Sequence, residues 1–341
     1  MADAIASQPA KSSIGNFWWA ARHPPADPTT SFAGKTILIT GPNTGLGFEA
    51  AVKFAALGAS KLIFGVRSLQ RGEEAKVSIE QKTGCAKDVI ELVQLDMASY
   101  ASIETFARDV SSRFPVVHAA VLNAGVAPPS YKLSPEGWEM ALQVNVISSA
   151  YLGILLLPKL RESGISTGQP THLEFVASVG HGDVSADSVH DNKRGILQKL
   201  NDEKTFKFTA QYSITKLLEV WVMTHVAAAV PSSQVIVNAS CPSLCKSTLG
   251  RDFGLMLRVP DNLIKSIVGR TTEEGSRILV SATTTGENAH GGFWSNDRVS
   301  VLGVLVTSDQ GKKLSAQFWG ELLDVFKKQN PGVERILQGG N

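Results

Sequence analysis

Six short apolar runs recur along the chain, each rich in β-branched residues: Lys35 to Thr40, Lys61 to Val66, Val89 to Gln94, Val116 to Leu122, Thr171 to Ala177 and Gln234 to Ala239. Runs this short and this apolar read as strands buried on both faces. Helical patterns lie between them, including Gly47 to Leu57, Leu69 to Lys82, Ser99 to Phe114 and a long one opened by Ser134 and Pro135, a capping residue followed by proline. Strands separated by helices pair in parallel, because the crossover returns the chain to the same end of the sheet. The alternation therefore predicts an α/β fold with a doubly wound parallel sheet, whose ligands bind outside the carboxyl ends of the strands.

At 341 residues, with 43% hydrophobic and 19% charged side chains, one domain with insertions holds this pattern. Residues 1–33 read as an arm, with the aromatic cluster Phe17, Trp18 and Trp19 and a proline-rich stretch from Pro24 to Pro28; residues 34–330 read as the domain and 331–341 as a tail. The arm is expected to pack on the domain surface, with a membrane foot as the alternative. Two long stretches break the alternation, His181 to Ala210 and Leu244 to Arg270. Both follow strand ends and are expected to be insertions over the site.

Composition excludes several functions. The 33 basic and 31 acidic side chains are scattered and leave no footprint for nucleic acid. Cys85, Cys241 and Cys245 form no disulfide framework or zinc pattern, which places the chain in a reducing, cytoplasmic setting. The longest apolar run, Ala150 to Leu157, is broken by Gly153 and closed by Pro158, short of the roughly 20 residues a membrane helix needs, so no spanning segment is expected. His181, Asp183, Asp187 and His190 match no ligand spacing, and no metal is expected.

The first strand runs directly into Thr40-Gly41-Pro42-Asn43-Thr44-Gly45-Leu46-Gly47, after which a helix begins. Glycines there permit a sharp turn and close approach of a ligand, and the helix N-terminus offers free N–H groups and a positive dipole end to a pyrophosphate. Gly41, Asn43, Thr44, Gly45, Leu46 and Gly47 are the candidate dinucleotide turn. The second strand ends in Arg67 and Ser68, with no carboxylate to grip a ribose 2′-hydroxyl. An arginine fork there suits the 2′-phosphate of NADP(H), a solvated loop arginine being the alternative. Asp96, just past the third strand, is placed to accept from an adenine amino group or to open the next helix.

The glycine turn, Asn123-Ala124-Gly125 after strand four, Asn145, Ser178 and Tyr212-Ser-Ile-Thr-Lys216 together resemble the short-chain dehydrogenase/reductase family over residues 34–330. Thr272-Glu-Glu-Gly-Ser-Arg-Ile-Leu-Val and the closing Gly-Lys-Lys helix resemble fungal secondary-metabolite members and the retinol-dehydrogenase-like branch. The resemblance implies a Rossmann-like fold and a catalytic set of Ser178, Tyr212, Lys216 and Asn145. The residues argue for that chemistry as well. Tyr212 and Lys216 lie four apart and share a helix face. An ammonium about 4 Å from the phenol favours the phenolate by at most about 4 kcal/mol, so Tyr212 is the candidate general acid and base. Ser178, just past strand five, is placed to donate to the substrate oxygen.

By resemblance, Asn145 holds a water that links Lys216 to solvent, with a purely structural asparagine as the alternative. The resemblance also implies that Lys216 bonds the nicotinamide ribose hydroxyls. Asn123, Ala124 and Gly125 line the adenosine side and stabilise the sheet. Pro242, Ser243, Ser247 and Thr248 face the nicotinamide carboxamide. Ser243 and Ala177 depart from the family's usual glycine and serine. Phe206, Phe208, Phe253, Met256, Phe293 and Trp294 fall in the covering segments and suggest an apolar or ring-bearing small-molecule substrate, local core being the alternative. In relatives the helices bearing Asn145 and Tyr212 pack against a second copy, which implies a homodimer or homotetramer; C-terminal helices over that face would leave a monomer. Carbonyl–alcohol interconversion is the leading expectation. A non-redox enzyme for dehydration, epimerisation or cyclisation on the same fold, or a nucleotide-sensing module, are the others.

Overall fold

The computed structural model describes residues 10–247, 249 and 263–340. One eight-stranded sheet runs through it in the order β3-β2-β1-β4-β5-β6-β7-β8. The strands are β1 (Thr36–Thr40), β2 (Lys61–Val66), β3 (Ile90–Gln94), β4 (Ala119–Leu122), β5 (Thr171–Val176), β6 (Val235–Cys241), β7 (Phe293–Ser295) and β8 (Arg298–Ser300). All pairings up to β6–β7 are parallel, and only β8 runs antiparallel, against β7. The order reverses between β1 and β4, so a crevice opens at their carboxyl ends.

The helices are α1 (Ile14–Arg22), α2 (Gly45–Ala56), α3 (Leu69–Thr83), α4 (Tyr100–Arg113), α5 (Ser149–Thr167), α6 (Phe208–Ala229), α7 (Thr272–Ala282), α8 (Asp309–Gln329) and α9 (Val333–Leu337), with shorter helical turns between them. Alternation along the strands divides the core. Ile37 and Ile39 of β1 face a layer with Phe54 of α2, Ile79 of α3 and Leu279 of α7, while Leu38 faces Phe106 of α4, Leu152 of α5 and Trp221 of α6.

Several boundaries differ from the sequence reading for physical reasons. Ser134 and Pro135 open a turn, not a helix: Ser134 Oγ accepts the Trp138 amide, and the helix starts later, where the buried Glu139 carboxylate accepts the amides of Ala141 and Leu142. It then runs through a π-helical segment, Leu142–Ser148, into α5. Pro158 does not end it. Residues 142–167 are long and apolar enough to cross a membrane, but their most apolar 18-residue window is 89% buried inside the fold, so it is a core helix. Strands β7 and β8, three residues each, carry no legible alternation.

The N-terminal arm lies along the β7–β8 edge. Trp19 is buried and Trp18 points outward beneath the Arg22 guanidinium, 3.7 Å from its ring centre. Arg270, 1% exposed and with no carboxylate partner among the described residues, donates to Ala20 O (2.8 Å) and His23 O (2.9 Å) at the C-terminal end of α1, and also to Asn296 Oδ1 (2.6 Å). A helix C-terminus carries partial negative charge, which offsets the buried guanidinium. At the other end of the chain, α9 packs on α5, where buried Arg161 donates to the carbonyls of Ile336 (2.5 Å) and Leu337 (3.0 Å).

Candidate active site

The glycine turn closes the β1–α2 connection as the sequence predicts. Gly41 and Gly45 have φ of 66° and 63°, a region that penalises any side chain. A Cβ on Gly47 would sit 2.5 Å from Asn123 Nδ2 and 2.6 Å from Gly41 O. Thr44, at the N-cap of α2, makes no side-chain capping bond, so the helix presents its amides unshielded by a side chain. The residues present fit a pyrophosphate-bearing dinucleotide.

Asn123 does not simply line this space. Its Nδ2 donates to Thr40 O (2.9 Å) and Gly41 O (3.2 Å), and Thr40 Oγ1 accepts the Ala124 amide (2.9 Å). Asn123 and Ala124 thus clamp the glycine turn onto β4, and Gly125 abuts Asn145. Arg67 is exposed just past β2 and has no ion pair among the described residues, while Ser68 caps α3 by accepting the Arg71 amide. Asp96 accepts the Ala98 amide through Oδ1 (3.0 Å) in the turn before α4, whose N-cap is Ser99.

Asn145 sits in the π-helical segment, a distortion that recurs at functional sites. Its Oδ1 accepts the Val126 amide (2.8 Å) and its Nδ2 donates to Val126 O (2.9 Å) and to Thr215 Oγ1 (3.2 Å). Both side-chain protons are therefore spent tying the loop after β4 to α6.

Ser178 follows β5 and caps a helical turn, Val179–Asp183, accepting the Gly180 amide at 3.2 Å. A hydroxyl that accepts there keeps its own proton for donation. This turn packs along α6, and a Cβ on Gly180 would lie 3.0 Å from Ser213 Oγ, beside Tyr212. Lys216 Nζ donates to Val176 O at the end of β5 (2.8 Å) and pairs with Glu219 Oε2 (2.7 Å). It lies 5.5 Å from the Tyr212 ring centre. The fold thus brings Ser178, Tyr212 and Lys216 to the carboxyl end of β5.

The electrostatics differ from the expectation that Lys216 lowers the Tyr212 pKa. Burial dominates and pushes Tyr212 above its ordinary value, with the ammonium offsetting only part. Glu219, pushed up to about 7 by burial, is the residue that sequence reasoning missed. Its signal was a single carboxylate three positions after Lys216 in an otherwise apolar run.

Pro242 O accepts from Cys245 Sγ (3.3 Å) and Arg270 Nη1 (3.4 Å). Ser243 holds φ at 65°, so it adopts the left-handed backbone that its usual glycine counterpart would take, at a cost of roughly 1 kcal/mol. Ser247 donates its amide to Cys245 O (2.8 Å). Thr248, Phe253 and Met256 lie outside the described residues. Phe293 and Trp294 belong to β7: Phe293 is buried in the core edge-on to His181, and Trp294, half-buried, donates to Ser281 Oγ on the α7 side. Phe206 meets Tyr131 edge-on at 5.9 Å. Among the described residues no cluster of metal ligands forms.

Fold and site together define a doubly wound α/β protein with a glycine turn at its first crossover and a serine, tyrosine and lysine gathered past its fifth strand. The family described as short chain dehydrogenase matches residues 35–169. The short-chain dehydrogenase/reductase ffsI of Aspergillus flavipes is 76% identical over 99% of both chains. The short-chain dehydrogenase/reductase phmF of Phaeosphaeria nodorum is 67% identical over 99% of this chain and all of its own. Among solved structures, an NADPH-bound carbonyl reductase from chicken fatty liver aligns with TM-score 0.59 at 15% identity, over 81% of this chain and 96% of that one. The carbonyl reductase Sniffer of D. melanogaster aligns with TM-score 0.57 at 16% identity, over 79% and 99%. The chain belongs to the short-chain dehydrogenase/reductase family and is an oxidoreductase of that family.

Proposed function

We propose that the protein interconverts a carbonyl and an alcohol with NADP(H), acting as a ketone or aldehyde reductase on an apolar or ring-bearing small molecule in fungal secondary metabolism. The observation that carries this is the phenol of Tyr212: burial holds it protonated, the form that donates to a developing alkoxide. Ser178 keeps a hydroxyl proton for the same oxygen, and Lys216, fixed on Val176 O, stands ready to stabilise the phenolate left behind. When bound, the nicotinamide supplies or accepts the hydride.

Arg67, exposed and uncommitted where a carboxylate would select NAD, supports NADP(H), and the carbonyl reductase described as NADPH bound shares the fold. Asn145 serves as the tie that holds the loop after β4 against α6. All three cysteines are free thiols, which supports a cytoplasmic setting.

The test mixes purified protein with NADPH and a panel of ketones, aldehydes and quinones, and follows the cofactor's near-ultraviolet absorbance, with Tyr212→Phe alongside. Substrate-dependent oxidation lost in the variant is the expected result. Tight NADPH binding with no turnover on any of them would sink the reductase reading in favour of non-redox chemistry.

A further inference from the structure

Tyr212 stands near the start of α6, where a helix has least to hold it. The opening amides of a helix have no partner within it, and a side-chain cap commonly satisfies one of them. The N-cap of α6, Lys207, makes no side-chain capping bond. The opening turn is tied from outside instead: Gln211 Nε2 donates to Glu139 Oε2 across 2.6 Å. Gln211 and Glu139 are 5% and 0% exposed, so water does not compete for this bond.

Glu139 is itself anchored. Its carboxylate accepts the amides of Ala141 (3.0 Å) and Leu142 (2.9 Å) at the start of the helix that carries Asn145, a helix end that favours negative charge. Its own backbone amide donates to Asn201 Oδ1 (2.6 Å), and Asn201 Nδ2 donates in return to Gly137 O (2.9 Å). Gln211 therefore donates to a fixed, charged acceptor, and hydrogen bonds of that kind are the stronger ones.

Helix periodicity gives the tie its consequence. Gln211 and Thr215 lie four apart and share the face of α6 that meets Glu139 and Asn145. Thr215 Oγ1 accepts from Asn145 Nδ2 (3.2 Å) and donates to Tyr212 O (2.8 Å). Tyr212 and Lys216, each one residue further on, share the adjacent face. The start of α6 is thus held at two points one turn apart, and fraying or rotation at Gln211 would swing the phenol of its neighbour.

We propose that Glu139 is a positioning residue of the active site: through Gln211 it takes the place of the missing side-chain cap of α6 and fixes where the Tyr212 hydroxyl meets the substrate oxygen. The proposal rests on the reading of Tyr212 as the proton donor. With Ala141, Leu142 and Gln211 as its donors, the Glu139 carboxylate takes no part in the proton transfer itself.

Gln211→Met keeps the length of the side chain, removes the donor and leaves Glu139 its two backbone amides. Amide hydrogen exchange, read by mass spectrometry, is expected to quicken about tenfold over residues 207–213 and to stay unchanged over residues 45–56. Unchanged exchange at 207–213 overturns the proposal whether or not the protein turns over any substrate, so this arm is independent of the reductase assay. On a substrate that the reductase assay identifies, kcat is expected to fall about tenfold while the dissociation constant for NADPH stays within about twofold. An unchanged kcat, or equal losses in both, overturns it too. The reciprocal pair Glu139→Gln/Gln211→Glu rebuilds the bond with donor and acceptor reversed, whereas Gln211→Glu alone sets two carboxylates against each other. The pair is expected to return amide exchange and kcat to within about threefold of the wild type. A pair no better than Gln211→Glu alone would show that the two side chains act separately, and the proposal would fall.

Discussion

His181 Nδ1 donates to the carbonyl of Ser178 across 2.7 Å, while His181 Nε2 accepts the amide of Gly303 at 2.9 Å. An amide can only donate, so the imidazole is neutral with its proton on Nδ1. It bolts the end of β5 to the segment after β8, and the arm secures the same junction through Ala10 N to Val301 O (3.1 Å) and Ser12 N to Asp183 Oδ1 (2.9 Å). His181→Gln is expected to lower kcat about tenfold with little change in cofactor KM, as a displaced Ser178 hydroxyl would. Equal changes in both would point to a general loss of structure.

The same ring sets an acid limit. Burial pushes the His181 pKa from 6.5 down to about 4, so between those values the unfolded chain binds a proton that the folded chain refuses. Stability therefore rises with pH across this window and is lost as pH falls through it, by at most about 3 kcal/mol. Denaturant unfolding at pH 7 and near pH 4.5 should show a smaller loss in His181→Gln than in the wild type. Equal losses would remove His181 from the acid sensitivity.

Strands β1 to β6 and the glycine turn were legible because each is a local signal: a buried run of apolar residues, or glycines where φ is positive. Tyr212, Lys216 and Ser178 were singled out by resemblance to the family's motifs, and the fold puts Tyr212 and Lys216 on α6 and Ser178 just past β5. What escaped depends on partners distant in sequence. Arg270 looks like a loop residue until Ala20 and His23 close on it from 250 and 247 positions away. Glu219 and His181 look ordinary until burial removes water from around them. Ser134 and Pro135 misled because a turn uses the same capping chemistry as a helix.

Arg67 is exposed, so its replacement should spare the fold and act on the cofactor alone. With Arg67 holding the 2′-phosphate as proposed, Arg67→Asp removes a charge-assisted contact worth about 1.5–3 kcal/mol and adds repulsion. The KM for NADPH should rise ten- to a hundredfold while that for NADH falls. An unchanged ratio would mean that another group reads the 2′-phosphate.

Arg270 joins the arm, the Pro242 loop and the β7–β8 turn. Arg270→Met leaves the carbonyls of Ala20 and His23 and the Asn296 amide oxygen without their donor, at a cost of about 3 kcal/mol or more. The expected results are a lower Tm, faster proteolysis within residues 10–33 and weaker NADPH binding through the loosened Pro242 loop. Faster proteolysis with unchanged NADPH affinity would confine the arm to a structural role.

The helix pair that would join two copies is covered by this chain's own C-terminus. Phe326 of α8 stacks on Tyr151 of α5 at 5.0 Å, Trp319 stacks on His225 of α6 at 4.9 Å, and Trp221 Nε1 donates to Leu305 O at 3.0 Å. Dimerisation through that face would have to expose Phe318, Leu322 and Phe326, all fully buried, and each large side chain costs roughly 1.5–3 kcal/mol to expose. Light scattering on the 341-residue chain should therefore report a monomer of 36.4 kDa. A dimer would place the contact on another face, and a truncation before Ser308 distinguishes the cases: a chain monomeric when intact and self-associating when cut would show that α8 and α9 occupy the surface a second copy would use.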